Sequence, residues 1–244
     1  MSLSNAEAHR IAREEGVNRG LYFAVMRIAT FVARLLCGFS ATGVENVPSS
    51  GPVVIVPNHK SFWDPFFVAL VLPRPVRAMG KAEHFEGRMA RVFLGLGSFP
   101  VRRGASDQDA LDTARAVLDN GDTLLLFPEG TRVRGEGLGE PKRGAARLAI
   151  EAHAPLVPVT ITGTEKRKWP LPRKVKVTFG TPVPVEGLAA TPEDAAALIG
   201  SAWPQVTEEY KRWQARPGAI AVAAAAVGLG ILVARKRSSR RDDD

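Results

Sequence analysis

The chain has 244 residues, 45% of them hydrophobic and 24% charged, a composition that suits one globular domain with appendages and is too apolar for intrinsic disorder. With 33 Lys+Arg against 25 Asp+Glu the net charge is +8, which points to an anionic partner: a membrane surface, a phosphorylated substrate or nucleic acid. Cys37 is the only cysteine, so an intrachain disulfide and a cysteine-rich zinc site are excluded.

Met1 to Gly20 mixes acids and bases and does not read as a cleavable signal. Leu21 to Phe39 is apolar except for Arg27, Thr30 and Arg34, which share one helical stripe. That pattern predicts a helix lying in a membrane interface with both arginines reaching toward headgroups, so residues 1–40 form an N-terminal amphipathic region. From Ala41 to Arg216 short β-branched runs alternate with helix-like pieces, the signature of a single α/β domain. Strands are predicted at Gly51–Val56, Val76–Met79, Phe99–Arg102, Thr123–Phe127, Leu156–Ile161 and Lys174–Phe179. Helices are predicted at Asp64–Val71, Phe85–Leu94, Asp107–Asn120 and Arg143–Ala152, the third with Asp107 as N-cap and Gly121 just past its end. Glu193 to Gln214 reads as a helical region bent at Pro204. Gly218 to Ala234 is a charge-free run of 17 residues followed by Arg235, Lys236, Arg237, Arg240 and Arg241, which predicts a C-terminal membrane helix within a tail over residues 217–244. If that helix spans, five basic residues lie on the far side, against the positive-inside bias; a re-entrant segment avoids the conflict.

Polar residues begin abruptly where two apolar strands end, the place where α/β sheets hold ligands. After Val56 come Asn58, His59 and, five residues on, Asp64. With His59 in a loop and Asp64 in the first turn of the next helix, the carboxylate can reach back to one imidazole nitrogen. It then fixes the tautomer and stabilises the imidazolium formed when the other nitrogen takes a proton. After Phe127 come Glu129, Gly130, Thr131 and Arg132: a carboxylate that can orient a donor, a glycine that admits close approach, and a guanidinium that can hold a phosphate. Arg102 and Arg103 add fixed positive charge at a third strand end. His9, His84 and His153 have no second ligand at metal spacing and read as ordinary surface or packed histidines. The basic patch of Lys166, Arg167, Lys168, Arg173, Lys174 and Lys176 around Trp169 suits either a solvated face or contact with lipid headgroups and CoA phosphates.

Four blocks in order resemble the PlsC-type glycerophospholipid acyltransferases, which include the 1-acylglycerol-3-phosphate acyltransferases. Asn58 to Asp64 is similar to the N-H-x4-D block, Gly97 to Arg103 to a second block ending in arginine, Phe127 to Arg132 reads Phe-Pro-Glu-Gly-Thr-Arg, and Val157 to Ile161 resembles the fourth. The resemblance covers about residues 40–180. Arg102, Pro100 and Val133 depart from the common pattern and bear on acceptor identity rather than on acyl transfer.

The resemblance implies a mixed-sheet catalytic domain in which His59 is the general base. It would take the proton of an acceptor hydroxyl as that oxygen attacks the thioester of acyl-CoA or acyl carrier protein, with Asp64 orienting it. Arg103 would hold the acceptor phosphate, with Asn58, Glu129, Gly130, Thr131, Arg132 and Lys142 forming the rest of the acceptor site and Val157 to Ile161 walling it. Neither metal nor cofactor is implied beyond the acyl co-substrate. The implied reaction acylates 1-acylglycerol 3-phosphate to phosphatidate at the cell membrane, with the domain on the cytoplasmic side. Glycerol 3-phosphate, a lysophospholipid or a glycolipid are the rival acceptors, and a non-enzymatic membrane scaffold is the rival class. Nucleic acid is excluded as partner because no stacking aromatics interleave with the basic residues, and neither a P-loop nor G-x-S-x-G is present.

Overall fold

Val53 to Pro57 is apolar at every position and buried at every position, so the strand it forms, β2, sits at the centre of the sheet with helices on both faces. The computed structural model describes residues 3–87, 89–102, 107–165 and 174–215. In chain order its elements are α1 (Asn5–Glu14), α2 (Arg19–Cys37), β1 (Ser40–Thr42), β2 (Val53–Pro57), α3 (Asp64–Ala69), β3 (Val76–Lys81) and α4 (Ala90–Gly95). They continue with β4 (Ser98–Val101), α5 (Gln108–Asp119), β5 (Thr123–Leu125), α6 (Gly144–Glu151), β6 (Leu156–Thr162), β7 (Lys176–Phe179) and α7 (Pro192–Gln214). The seven strands lie in the order β1-β7-β6-β2-β5-β3-β4. All neighbours run parallel except β6 and β7, which gives the mixed α/β sheet expected.

Side chains alternate across β2. Val54 and Val56 join α1, α5, α6 and α7 residues on one face, while Val53 and Ile55 join α2 and α3 residues on the other. The chain divides into two units, Met1–Glu209 and Tyr210–Asp244. In the second, the described residues end at 215, and the rings of Tyr210 and Trp213 lie 6.0 Å apart. The expected membrane segment Gly218–Ala234 and its basic flank lie outside the described residues, as do Arg103 and residues 166–173 of the basic patch.

Two expectations are corrected, and one strand has no counterpart in the sequence pattern. The helix predicted over Phe85–Leu94 is a 3-10 turn at Ala82–Phe85 followed by α4, with Gly87 between them accepting from Ala90 N at the new start. β1 went unread because three residues between left-handed Gly38 and Gly43 carry no pattern of their own; their strand character comes from pairing with β7, more than 130 residues later. Thr30, expected on one stripe with the arginines, turns toward the domain. Its hydroxyl lies 2.9 Å from Leu70 O, in line with the buried Tyr22, Met26 and Ala33, whereas Arg27 and Arg34 are exposed.

α1 packs on α5 through Ala8, His9, Ile11 and Ala12. His9 is fully buried, its Nδ1 2.9 Å from Thr113 Oγ1, and its Nε2 has no hydrogen-bond partner among the described residues. Burial pushes its imidazole below the ordinary value near 6.5; Asp107 and Asp109 pull it back up, and Arg13 and Arg102 push it further down. The folded chain therefore holds His9 neutral. Its contribution to stability is complete above pH 6.5 and is lost as the pH falls through the depressed folded value, where the unfolded chain gains a proton the folded chain resists. Melting curves between pH 8 and 5 should show wild type losing stability relative to His9→Gln as the pH drops; parallel curves would refute this.

Candidate active site

The ladder between β2 and β5 pairs Val53 with Thr123 and Ile55 with Leu125, a constant offset of 70. Continued beyond the strands, that offset sets His59 beside Glu129, and the two meet: His59 N donates to Glu129 Oε1 at 2.8 Å. Positions 53 and 55 face α2 and α3, and His59, just beyond the end of β2, lines a groove on that same side with Met26 and Phe66.

Asp64 opens α3 and is fully buried. Its Oδ2 accepts from His59 Nδ1 at 3.0 Å and from the backbone N–H groups of Lys60 and Ser61, both at 2.6 Å, while Oδ1 has no hydrogen-bond partner among the described residues. A carboxylate only accepts, so Nδ1 carries the hydrogen and the lone pair is left on Nε2. The imidazole also stacks on Phe127, centroids 3.7 Å apart and planes 18° apart, and is 5% exposed. Tautomer and ring plane are both fixed before any substrate arrives.

Glu129 bridges two backbone donors. Beside His59 N, it accepts Gly139 N on Oε2 at 2.8 Å. Burial raises its carboxyl above the usual range; the two N–H groups and the charges of Lys60 and His59 oppose that rise. Gly130 adopts φ +75°, a left-handed turn where a side chain would strain the backbone, and the Lys142 side chain lies over it. Thr131 and Arg132 are exposed beyond that turn.

Asn58, expected on the substrate side, is fully buried. Its amide donates to Ile161 O at 3.0 Å and accepts Ile161 N at 2.7 Å, so it fastens β6 to the end of β2. The fourth block accordingly backs the site through Asn58 and contributes no residue to the groove beside His59. That groove runs between α2, α3, β3 and α4 and is lined mainly by apolar side chains, among them Met26, Phe62, Phe66, Val76, Phe85 and Phe93, with His59 and Arg132 at its polar part. Most of its lining has no local sequence signal, because it combines residues of α2, α3, β3, α4 and β4 that meet only in the fold. His84, given an ordinary role on sequence, lies on this lining with its ring edge-on to Phe62. Arg102 is paired with Asp107 at 3.5 Å, and its backbone N–H donates to the same carboxylate. Among the described residues no cluster of His, Cys, Asp or Glu is placed to hold a metal.

Residues 38–162 match the sequence profile of the Acyltransferase family. The chain is 29% identical over 189 residues to 1-acyl-sn-glycerol-3-phosphate acyltransferase alpha of Mus musculus, a match covering 72% of this chain and 66%, just under two thirds, of the mouse protein. It is 30% identical over 149 residues to the 1-acyl-sn-glycerol-3-phosphate acyltransferase of Bacillus subtilis (strain 168), covering 60% of this chain and 74% of that one. Its fold is similar to the crystal structure of the 1-acyl-sn-glycerophosphate (LPA) acyltransferase, PlsC, from Thermotoga maritima, with a TM-score of 0.67, 24% identity and coverage of 86% and 84% of the two chains.

Proposed function

Since the chain belongs to the Acyltransferase family, we propose that it moves a fatty acyl group from acyl-CoA or acyl carrier protein to the free hydroxyl of 1-acylglycerol 3-phosphate, giving phosphatidate. The observation that carries this reading is the His59–Asp64 pair held at the polar part of an apolar groove, with Arg132 beside it. An apolar groove suits a fatty chain, a basic nitrogen suits an alcohol that must lose its proton, and a guanidinium suits a phosphate.

In this mechanism His59 Nε2 takes the hydroxyl proton as the oxygen bonds to the thioester carbonyl carbon. When the tetrahedral intermediate collapses, the C–S bond breaks and the same nitrogen returns the proton to the leaving thiolate. Asp64 stabilises the imidazolium between the two steps. Glu129 and Asn58 hold the base and the strand end in place, while Arg132, with Lys142 over the Gly130 turn and Arg103 on the second block, receives the acceptor phosphate. The catalytic domain is assigned to residues 41–216.

The acceptor's own chain lies in a bilayer, so the reaction belongs at an interface. α2 supports this: Ile28, Phe31, Leu35 and Leu36 are 68%, 70%, 73% and 66% exposed, whereas Tyr22, Met26 and Ala33 pack on the domain. By length and composition the same helix is apolar enough to cross a bilayer. One stripe docked along its whole length favours a helix lying on the surface, its apolar side in lipid and Arg27 and Arg34 at headgroup level. We place the protein at the cell membrane, facing the cytoplasm where acyl-CoA is found, with the tail 217–244 as a second contact.

The test is one assay series on the purified full-length chain with radiolabelled acyl-CoA and a panel of acceptors. The expected product is phosphatidate from 1-acylglycerol 3-phosphate in vesicles. Replacing Phe31 and Leu35 by Asp should reduce both vesicle sedimentation and turnover of that substrate more than turnover of a short-chain soluble analogue. Label in another lipid overturns the acceptor, absence of thiol release overturns the chemistry, and equal effects on both substrate forms overturn the interfacial helix.

A further inference from the structure

Lys60 follows the general base directly, and its two ends work in opposite directions. Its backbone N–H donates to Asp64, while its side chain runs away from the base to the loop after Arg132. There Nζ donates to Gly135 O at 3.1 Å and, in a shorter contact, to Gly137 O. Both glycines have positive φ, +87° and +77°, a backbone that L side chains rarely adopt and that here presents two carbonyls to one ammonium. Lys60 is buried, which is uncommon for lysine unless its donors are engaged.

The tethers fall on alternate residues of the loop. Val133 N donates to His59 O at 2.9 Å, Gly135 and Gly137 carbonyls accept from Lys60, and Gly139 N donates to Glu129 Oε2 at 2.8 Å. The last contact leaves no room for a side chain, since a Cβ on Gly139 would stand 2.9 Å from that carboxylate oxygen. The first tether joins two backbone groups and the last sets a backbone N–H on the Glu129 carboxylate, while the middle of the loop is held by the Lys60 ammonium. Arg132 is the residue immediately before the first tether, so its position depends on all of them.

We infer that Lys60 is a positioning residue that fixes the 133–139 loop against the base and so sets where Arg132 meets the acceptor's anionic group. The kinetic part of this inference rests on the acyl-transfer reading; the loop part does not. Lys60→Met keeps the aliphatic stem and removes the donors. In the full-length chain it should raise the acceptor KM about tenfold and leave kcat at saturating acceptor and the acyl-CoA KM within about threefold, because a displaced binding group costs affinity before it costs chemistry. Tryptic cleavage after Arg134, followed by mass spectrometry under native conditions, should accelerate about tenfold as the loop loosens. Lys60→Arg, which restores charged donors, should recover most of both effects. Should the methionine variant misfold, Lys60→Gln, with two uncharged donors, should give intermediate values. Wild-type cleavage and an unchanged acceptor KM in Lys60→Met, or in Lys60→Gln where it replaces it, overturn the inference. Faster cleavage in a protein that acylates nothing, wild type included, supports the loop role and overturns the acyl-transfer reading instead.

Discussion

His59→Ala should lower turnover by about 10²–10⁴-fold, the usual loss when a positioned general base is removed, while the protein still folds. The expectation of a folded variant comes from where the contacts lie. The strand end is held by the backbone of residue 59, whose N–H reaches Glu129 and whose carbonyl accepts from Val133, and an alanine keeps both. What disappears is the imidazole, its bond to Asp64 and its stack on Phe127. Thiol release from acyl-CoA in the presence of acceptor measures the loss directly, and a thermal melt run beside it separates chemistry from unfolding. Turnover within about threefold of wild type in a normally melting variant would remove His59 from the mechanism.

Asp64 allows charge and geometry to be separated with two variants. In Asp64→Asn the amide oxygen can take the place of Oδ2 and accept all three N–H bonds, and the new NH2 falls where Oδ1 now has no partner. Fold and ring orientation should survive, and only the negative charge behind the imidazolium is lost. Turnover should then fall about 10²–10⁴-fold, with a smaller loss of melting temperature than in Asp64→Ala, since the buried NH2 gains no acceptor among the described residues. Asp64→Ala instead leaves three buried or half-buried donors without an acceptor, each worth about 1–3 kcal/mol, and should destabilise the protein as well as silence it. Equal stability losses in the two variants would show that the carboxylate acts on the fold and not through its charge.

The parts of this molecule legible in its sequence were those with a strong local signal. Continuous apolar runs marked β2, β5 and β6, and the sudden polarity after Val56 and Phe127 marked the site. The five-residue spacing of His59 and Asp64 was sufficient for the hydrogen bond that forms, because a short loop followed by a helix start leaves few other places for the carboxylate. Residues whose role depends on distant partners could not be read in the same way. Asn58 looked like a substrate contact because it neighbours the base, yet its amide is engaged with Ile161, more than 100 residues away. His9 gave no sign of burial, since what covers it is α5. Lys60 read as one of four unspecified positions in a block, and only the folded loop from 133 to 139 gives its ammonium an address.

The constant offset between β2 and β5 has a consequence for how this chain tolerates change in length. His59 and Glu129 meet because two neighbouring strands are in register, not because 70 residues separate them along the chain. Everything between, from the end of α3 through β3, α4, β4 and α5, is an excursion that adds β3 and β4 to the sheet beyond β5 before the chain returns to β5 itself. A surface insertion or deletion in that excursion can leave the paired ends where they are, because loop closure costs little extra per added residue. One residue added between Val56 and His59 is a different event. It would displace His59 from its register with Glu129 and change the spacing that brings the imidazole to Asp64. Variation in length is therefore tolerated in the surface loops of that stretch and confined in the few residues that join each strand to its polar block.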